Sequence, residues 1–122
     1  MKKNVNIIKR FFPDILRNVL PRTIFTVEIS KKESSRINGL YRKIKKPTNV
    51  LSFRYGDDYG EILICPQIIR QEAKKTGYSY TKQMTWMILH GMIHLAGLHH
   101  EKSAKSQARF VRLEKEILDK LF

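Results

Sequence analysis

The four histidines of this chain all lie between His90 and His100. His90 and His94 have i, i+4 spacing, so on a helix their rings stack on one face about 5.4 Å apart. Gly97 can take the left-handed conformation that ends a helix, and such a turn can bring His100 back toward the first two rings. Three imidazoles that bind one Zn²⁺ leave a fourth position open for water, which is typical of a catalytic zinc site.

The same residues have a less specific interpretation as core histidines with satisfied hydrogen bonds. One such histidine is common, but two on an apolar helix, then a glycine turn and a third, are hard to explain by packing. His99 is open to three interpretations: a partner that orients a ligand, a solvent-exposed neighbour, or an alternative ligand. The spacing is also that of metzincin peptidases, whose general base is a Glu where this chain has Gly91, so a peptidase is disfavoured.

Length and charge set the class of protein. The chain has 122 residues, which predicts one domain spanning 1–122. Lys and Arg number 24 against 11 Asp and Glu, a formal charge of +13 that favours a polyanionic partner, nucleic acid before an anionic membrane surface.

The sequence predicts neither a membrane span nor a secretory signal, so we expect a soluble cytoplasmic protein. Cys65 is the single cysteine, which excludes an internal disulfide and a cysteine-based zinc finger.

The elements that must position the histidines follow from periodicity and capping signals. The expected fold class is α+β, a small sheet with helices packed on it. We expect residues 1–12 to be loose. The helix that begins at Ser30 is expected to have an apolar side made of Ile37, Leu40, Tyr41 and Ile44. The predicted helices are 13–19, one from Ser30 toward Pro47, 66–77, a buried central helix 80–96, and 104–121; the predicted strands are 23–29, 50–53 and 61–65, the last two joined by a tight turn.

Three sequence blocks carry a family resemblance. Residues 90–100 read HGMIHLAGLHH and resemble the HGxLHLxGYDH motif of the YbeY family, the bacterial zinc-dependent endoribonucleases of rRNA maturation. Residues 38–42 and 47–53, NGLYR and PTNVLSF, resemble the family's LNxxYR and PTNVLSFP segments. Residues 60–65, GEILIC, are similar to its GDIxIC strand. Together these blocks cover about half of the chain.

The resemblance implies a fold, a metal and a set of functional residues. The fold would be a small α+β domain with a mostly four-stranded sheet and a zincin-like metal helix behind it. One Zn²⁺ would be held by His90, His94 and His100, and Arg42 would contact RNA phosphate or stabilise developing charge. Asn49 and Ser52, from the matched strand block, are expected to be auxiliary. The implied partners are rRNA and the ribosome.

Several positions depart from the family pattern. The family Asp before the last ligand is His99 here, and the Pro after the strand is Arg54. An orienting carboxylate is therefore expected to be missing unless His99 replaces it. Lys43, Lys45, Lys46 and Arg54 could line an RNA groove, although each such residue is more often a solvated charge. Tyr41, Phe53, Tyr55 and Tyr59 could stack on unpaired bases, but we expect core packing for Tyr41 and Phe53.

The function predicted from these observations is a zinc-dependent endoribonuclease acting on single-stranded rRNA in rRNA maturation and ribosome quality control. The alternative is an RNA- or ribosome-binding assembly factor with a structural metal and little or no catalysis. The sequence leaves two routes open. In one, metal-activated water attacks the phosphate, with proton removal resting on zinc or on His99. In the other, the ribose 2′-hydroxyl attacks and the metal only stabilises charge.

Overall fold

The described part of the chain, residues 4–99 and 102–122 of a computed structural model, contains six helices and three strands. Their order is ααβαββααα, which agrees with an α+β fold. The elements are α1 (Val5–Lys9), α2 (Asp14–Val19), β1 (Thr23–Glu28), α3 (Lys31–Arg42), β2 (Val50–Arg54), β3 (Tyr59–Ile64), α4 (Pro66–Thr76), α5 (Tyr80–Leu95) and α6 (Ala104–Leu121).

The sheet has the strand order β1-β3-β2. β1 runs parallel to β3, and β2 runs antiparallel to it, so the predicted pairing of the two short strands is confirmed. The expectation of a mostly four-stranded sheet is wrong for the described residues, which form three strands. The segment before β1 folds into α1 and α2 instead of a further strand, and this leaves β1 and β2 as the two edges of the sheet.

The beginning of the described chain is ordered, contrary to expectation. The side chain of Asn4 accepts a hydrogen bond from the Ile7 amide at 2.9 Å and caps α1. Ile8 and Phe12 are then almost fully buried in the core. Pro13 interrupts neither helix, because it lies at the N-cap of α2. Core packing therefore orders a segment whose local sequence pattern did not predict a helix.

α5 is the central helix of the fold, and its burial confirms the prediction. Ser79 caps it by accepting a hydrogen bond from the Lys82 amide at 3.1 Å. The helix packs against the sheet at Gly91, where a Cβ would lie 2.8 Å from Ser52 Oγ and 2.9 Å from Ile62 Cγ2. Real Cβ atoms do not approach so closely, so the residue after His90 must be glycine for the helix to lie at this distance from the sheet.

α3 begins as predicted, because Ser30 accepts a hydrogen bond from the Glu33 amide at 3.1 Å. Its buried residues, however, are the polar Ser34 and Asn38. Ser34 Oγ donates to the Thr48 carbonyl and accepts from the Thr48 amide, both at 2.8 Å. Asn38 donates to the Lys46 carbonyl at 2.8 Å. These bonds fasten the loop that leads from α3 into β2.

The predicted apolar side of α3 is wrong for three of its four residues, because only Ile37 is half-buried. Leu40 and Tyr41 are 63% and 69% exposed, and Ile44 also lies at the surface. The helix ends at Arg42, where Lys43 takes a left-handed conformation with φ of 58°, well before Pro47. The side that packs inward carries the hydrogen-bonding residues, so the large apolar side chains at its end turn outward.

Within the described ranges, none of the helices combines the length and the apolar character that crossing a lipid bilayer requires.

Candidate metal centre

The paired histidines lie on α5 as their spacing predicts. The ring centroids of His90 and His94 are 4.9 Å apart. Phe110 of α6 packs against both rings, with centroid distances of 4.9 Å and 5.0 Å. Because Phe110 is 1% exposed and belongs to the core, it limits the orientations that the two imidazoles can adopt.

Each of these two rings has a polar partner at Nδ1. His90 Nδ1 lies 2.7 Å from a carboxylate oxygen of Glu114, a residue that is only 8% exposed. His94 Nδ1 lies 3.4 Å from Nδ1 of His99. A buried carboxylate needs a partner of this kind, and a hydrogen bond at Nδ1 fixes the tautomer of the ring. A metal bound by these rings would therefore be held through Nε2.

The segment after α5 turns back toward the two rings. Gly97 has φ of 92°, the predicted left-handed conformation, and the Leu98 amide donates to the Ile93 carbonyl at 3.3 Å. Ser106 Oγ of α6 donates to the His99 carbonyl at 2.6 Å and holds the returning chain. His100, the third predicted ligand, lies outside the described residues. Among residues 4–99 and 102–122, no group of three or more His, Cys, Asp or Glu side chains is placed to hold a metal ion.

One side of α6 contacts both histidine rings and the loop that follows α5. Ser106, Phe110 and Glu114 occur on successive turns and contact the loop, both rings, and His90, respectively. Sequence reasoning missed Ser106 and Glu114. The available signal was a carboxylate one turn after a core phenylalanine, on the apolar side of an amphipathic helix, where an acidic residue needs a partner.

A cleft of about 840 Å³ opens beside the histidines. The residues along β2 form one wall, His90, His94 and His99 another, and Tyr41 and Arg42 line it from the end of α3. The structure thus brings Arg42 and the described histidines to one cavity. The auxiliary candidates Asn49 and Ser52 line the same cavity.

Asn49 is held in place by hydrogen bonds beyond the cleft. Its side-chain amide donates to both carboxylate oxygens of Glu72, at 3.0 Å and 3.1 Å. It also contacts Met87 Sδ at 3.0 Å. Asn49 therefore links the start of β2 to α4 and α5, which fixes the wall of the cleft.

The four predicted RNA-binding cations differ in their surroundings. Arg54 lines the cleft, and its Nη1 donates to the carbonyls of Val19 at 2.6 Å and Leu95 at 2.7 Å. It therefore ties β2 to the ends of α2 and α5. Lys43, Lys45 and Lys46 are exposed on the described loop after α3 and are not part of the cleft wall.

The side chains described here fit a zinc ion in their chemistry. Neutral imidazole is a preferred zinc ligand, and ligating histidines commonly have the other ring nitrogen bonded to a carboxylate or a similar group. His90 has Glu114 in that position. His90 thus has an orienting carboxylate from α6, while position 99, where the family pattern has Asp, carries the imidazole that contacts His94.

Comparisons with known proteins also indicate the YbeY family. The family model for Endoribonuclease YbeY matches residues 4–122. The Endoribonuclease YbeY of Thermosipho melanesiensis is 31% identical, covering 96% of this chain and 90% of that protein. The Aquifex aeolicus relative of the same name is 34% identical, and the match spans 74% of this chain and 64% of that protein's length. A solution structure of a Thermotoga maritima protein superposes with a TM-score of 0.61 at 25% identity, over 97% of this chain and 84% of that one.

The matched family and the relatives are named endoribonucleases, which puts the chain in the class of hydrolases that act on phosphodiester bonds. More particularly, the chain belongs to the Endoribonuclease YbeY family, because the family model extends over nearly its whole length and the relatives align across both the histidine segment and the strands.

Proposed function

We propose that this protein is a zinc-dependent endoribonuclease that cleaves single-stranded rRNA during rRNA maturation and ribosome quality control. It would work in the cytoplasm, as one metallohydrolase domain spanning 1–122, with rRNA and the ribosome as partners. The observation that carries the proposal is the 2.7 Å contact between Glu114 and His90 Nδ1 at the edge of the cleft. A buried carboxylate that orients an imidazole in this way is the usual support of a metal ligand.

In this proposal one zinc ion is held by His90, His94 and His100. When bound, zinc supplies Lewis acidity and brings the pKa of a water ligand to about 7. Glu114 keeps His90 in the tautomer whose Nε2 can bind metal, and His99 contacts His94 at the corresponding nitrogen. Phe110 limits the rotation of both rings.

Arg42 is the residue that we assign to the phosphate. It lines the same cleft as His90, His94 and His99 and belongs to the exposed end of α3. A guanidinium pairs with two phosphate oxygens at once, so it both positions the substrate and stabilises charge that develops on the phosphate. The net charge of +13 would draw a polyanion toward the protein as a whole.

The identity of the nucleophile can be read from the products. Attack by the ribose 2′-hydroxyl leaves a 2′,3′-cyclic phosphate, whereas attack by water leaves a linear phosphate end. His99 lines the cleft and is, beside zinc, our candidate for removing the proton in the water route. Mass spectrometry of the cleaved ends, early in the reaction, separates the two.

The central test is cleavage of an end-labelled single-stranded rRNA fragment by protein of measured zinc content. We expect no cleavage by His94→Ala, and cleavage slower by about 10²–10³ for Arg42→Ala, as for loss of one charge-stabilising donor. Arg36→Ala is the matched control, because Arg36 lies on the same helix in an exposed ion pair with Glu33. Undiminished cleavage by His94→Ala would refute the proposal, and RNA binding without cleavage would favour the assembly factor with a structural metal.

A further inference from the structure

Tyr41, near the end of α3, is a large aromatic side chain that lies at the surface instead of in the core. It is 69% exposed, although its neighbours on α3 include the buried Ser34 and Asn38. The ring lines the cleft directly beside Arg42. Exposed aromatic residues at the wall of a cationic cleft are typical of sites that hold single-stranded nucleic acid.

The ring is nevertheless held by a neighbour. Its centroid lies 5.0 Å from that of Phe53, with an interplanar angle of 63°, an edge-to-face contact. Phe53 lies on β2 at the edge of the sheet and also lines the cleft. Tyr41 thus has a ring contact that holds it and a large exposed surface, so it would lose little side-chain entropy on binding a planar ligand.

We propose that Tyr41, supported by Phe53, is the stacking platform for one unpaired base of the bound RNA, next to the phosphate that Arg42 holds. This inference rests on the proposed function and adds a binding position to it. Adjacent residues at the end of α3 would then divide the work, with Arg42 binding the sugar-phosphate backbone and Tyr41 binding a base. Every base has a π-face, so the platform would select single-stranded over double-stranded RNA more than one sequence over another.

The test measures RNA binding separately from cleavage. Fluorescence anisotropy with a labelled single-stranded oligoribonucleotide, in the presence of a chelator, gives the Kd without turnover. We expect Tyr41→Ala to raise the Kd by about 10- to 100-fold, and Tyr41→Phe to leave it within about twofold. Phe25→Ala is the matched control, because Phe25 is 52% exposed, packs against one other ring, that of Tyr59, and does not line the cleft.

Two further readouts distinguish stacking from a general loss of affinity. The slope of log Kd against log salt should stay unchanged in Tyr41→Ala and fall by about 0.7 in Arg42→Ala, because only the arginine releases a counterion. With a series of oligonucleotides that each carry one abasic position, wild-type protein should lose affinity at one position. Tyr41→Ala should not show this position dependence.

The inference is overturned if Tyr41→Ala binds the oligonucleotide as tightly as wild type, or if Tyr41→Phe binds as weakly as Tyr41→Ala. Failure of the proposed function has a different signature, because wild-type protein itself would then not cleave the RNA, whether or not it binds the oligonucleotide. Because Tyr41 is exposed, we expect its variants to fold normally. Thermal unfolding midpoints close to that of wild type would confirm this.

Discussion

His90 and His94 occupy equivalent positions one helical turn apart, yet their surroundings differ. Nδ1 of His90 meets a carboxylate from α6 at 2.7 Å, whereas Nδ1 of His94 meets another imidazole, from the segment just after α5, at 3.4 Å. A carboxylate makes the stronger bond and raises the basicity of the ring that it holds. The paired histidines therefore come from a short local motif, whereas the stronger support comes from packing between distant segments.

Removal of the stronger support should have the largest effect. We expect Glu114→Gln to weaken zinc affinity by about 10- to 100-fold, because the carboxylate no longer orients His90. Competition with a chromophoric chelator measures this affinity. Glu116→Gln is the control, since Glu116 is exposed on the same helix. If both variants bind zinc equally well, His90 does not depend on Glu114 and the contrast between the two histidines is lost.

His90 and His94 both lie on α5, which packs closely against the sheet at Gly91. Gly91→Ala should lower the free energy of unfolding by about 1–3 kcal/mol, because its Cβ would overlap Ser52 and Ile62. Gly39→Ala is the opposite case. Its Cβ would meet atoms of Ile44 and Lys45 at 3.9 Å, an ordinary contact, so in the interior of α3 it should stabilise by about 0.5–1 kcal/mol. Urea denaturation measures both, and a neutral Gly91→Ala would contradict the close packing of α5.

Arg54 fixes the end of α5 from which the His99 segment departs. Arg54→Met removes the donor to the Val19 and Leu95 carbonyls and should cost about 1–2 kcal/mol of unfolding free energy. Arg109→Met, an exposed substitution on α6, should stay within about 0.5 kcal/mol. Equal unfolding midpoints for the two variants in urea would show that Arg54 does not hold these elements together.

The smallest effect is expected at the weaker support. His99→Asp supplies a carboxylate near His94 and should raise zinc affinity by up to about tenfold, measured by the same chelator competition. His99→Ala should lower the affinity only a few-fold, since a 3.4 Å contact between imidazoles contributes little. A larger loss in His99→Ala than in Glu114→Gln would reverse the order of the two supports.

Features with a short-range physical cause could be predicted from the sequence. The i, i+4 histidines, the left-handed turn at Gly97, the capping by Ser30 and the β2–β3 pairing each depend on a few neighbouring residues, and all were found. The metal itself and the roles of Arg42, Asn49 and Ser52 stay predictions, as does the role of His100, which lies outside the described residues.

What escaped prediction depends on contacts between distant segments. In the sequence, Glu114 is one of several charged residues on an amphipathic helix. Its contact with His90 exists only because α6 packs beside α5. Arg54 was one candidate for an RNA groove or a solvated charge, and only the fold reveals the carbonyls that it binds. α1 is likewise ordered by the burial of Ile8, which the pattern interrupted by Pro13 does not predict. The exposed Tyr41 is the converse case, because hydrophobic periodicity assigned it to a core that α3 builds from polar residues instead.

The support of the histidines from Ser106, Phe110 and Glu114 has a consequence for the timing of synthesis. All three belong to the final described helix, so they are translated after every histidine. A nascent chain whose α6 is still inside the ribosomal exit tunnel has its imidazoles but neither their carboxylate nor their aromatic backing. The carboxylate and the aromatic ring that hold the imidazoles are therefore in place only after α6 has left the tunnel and packed against α5.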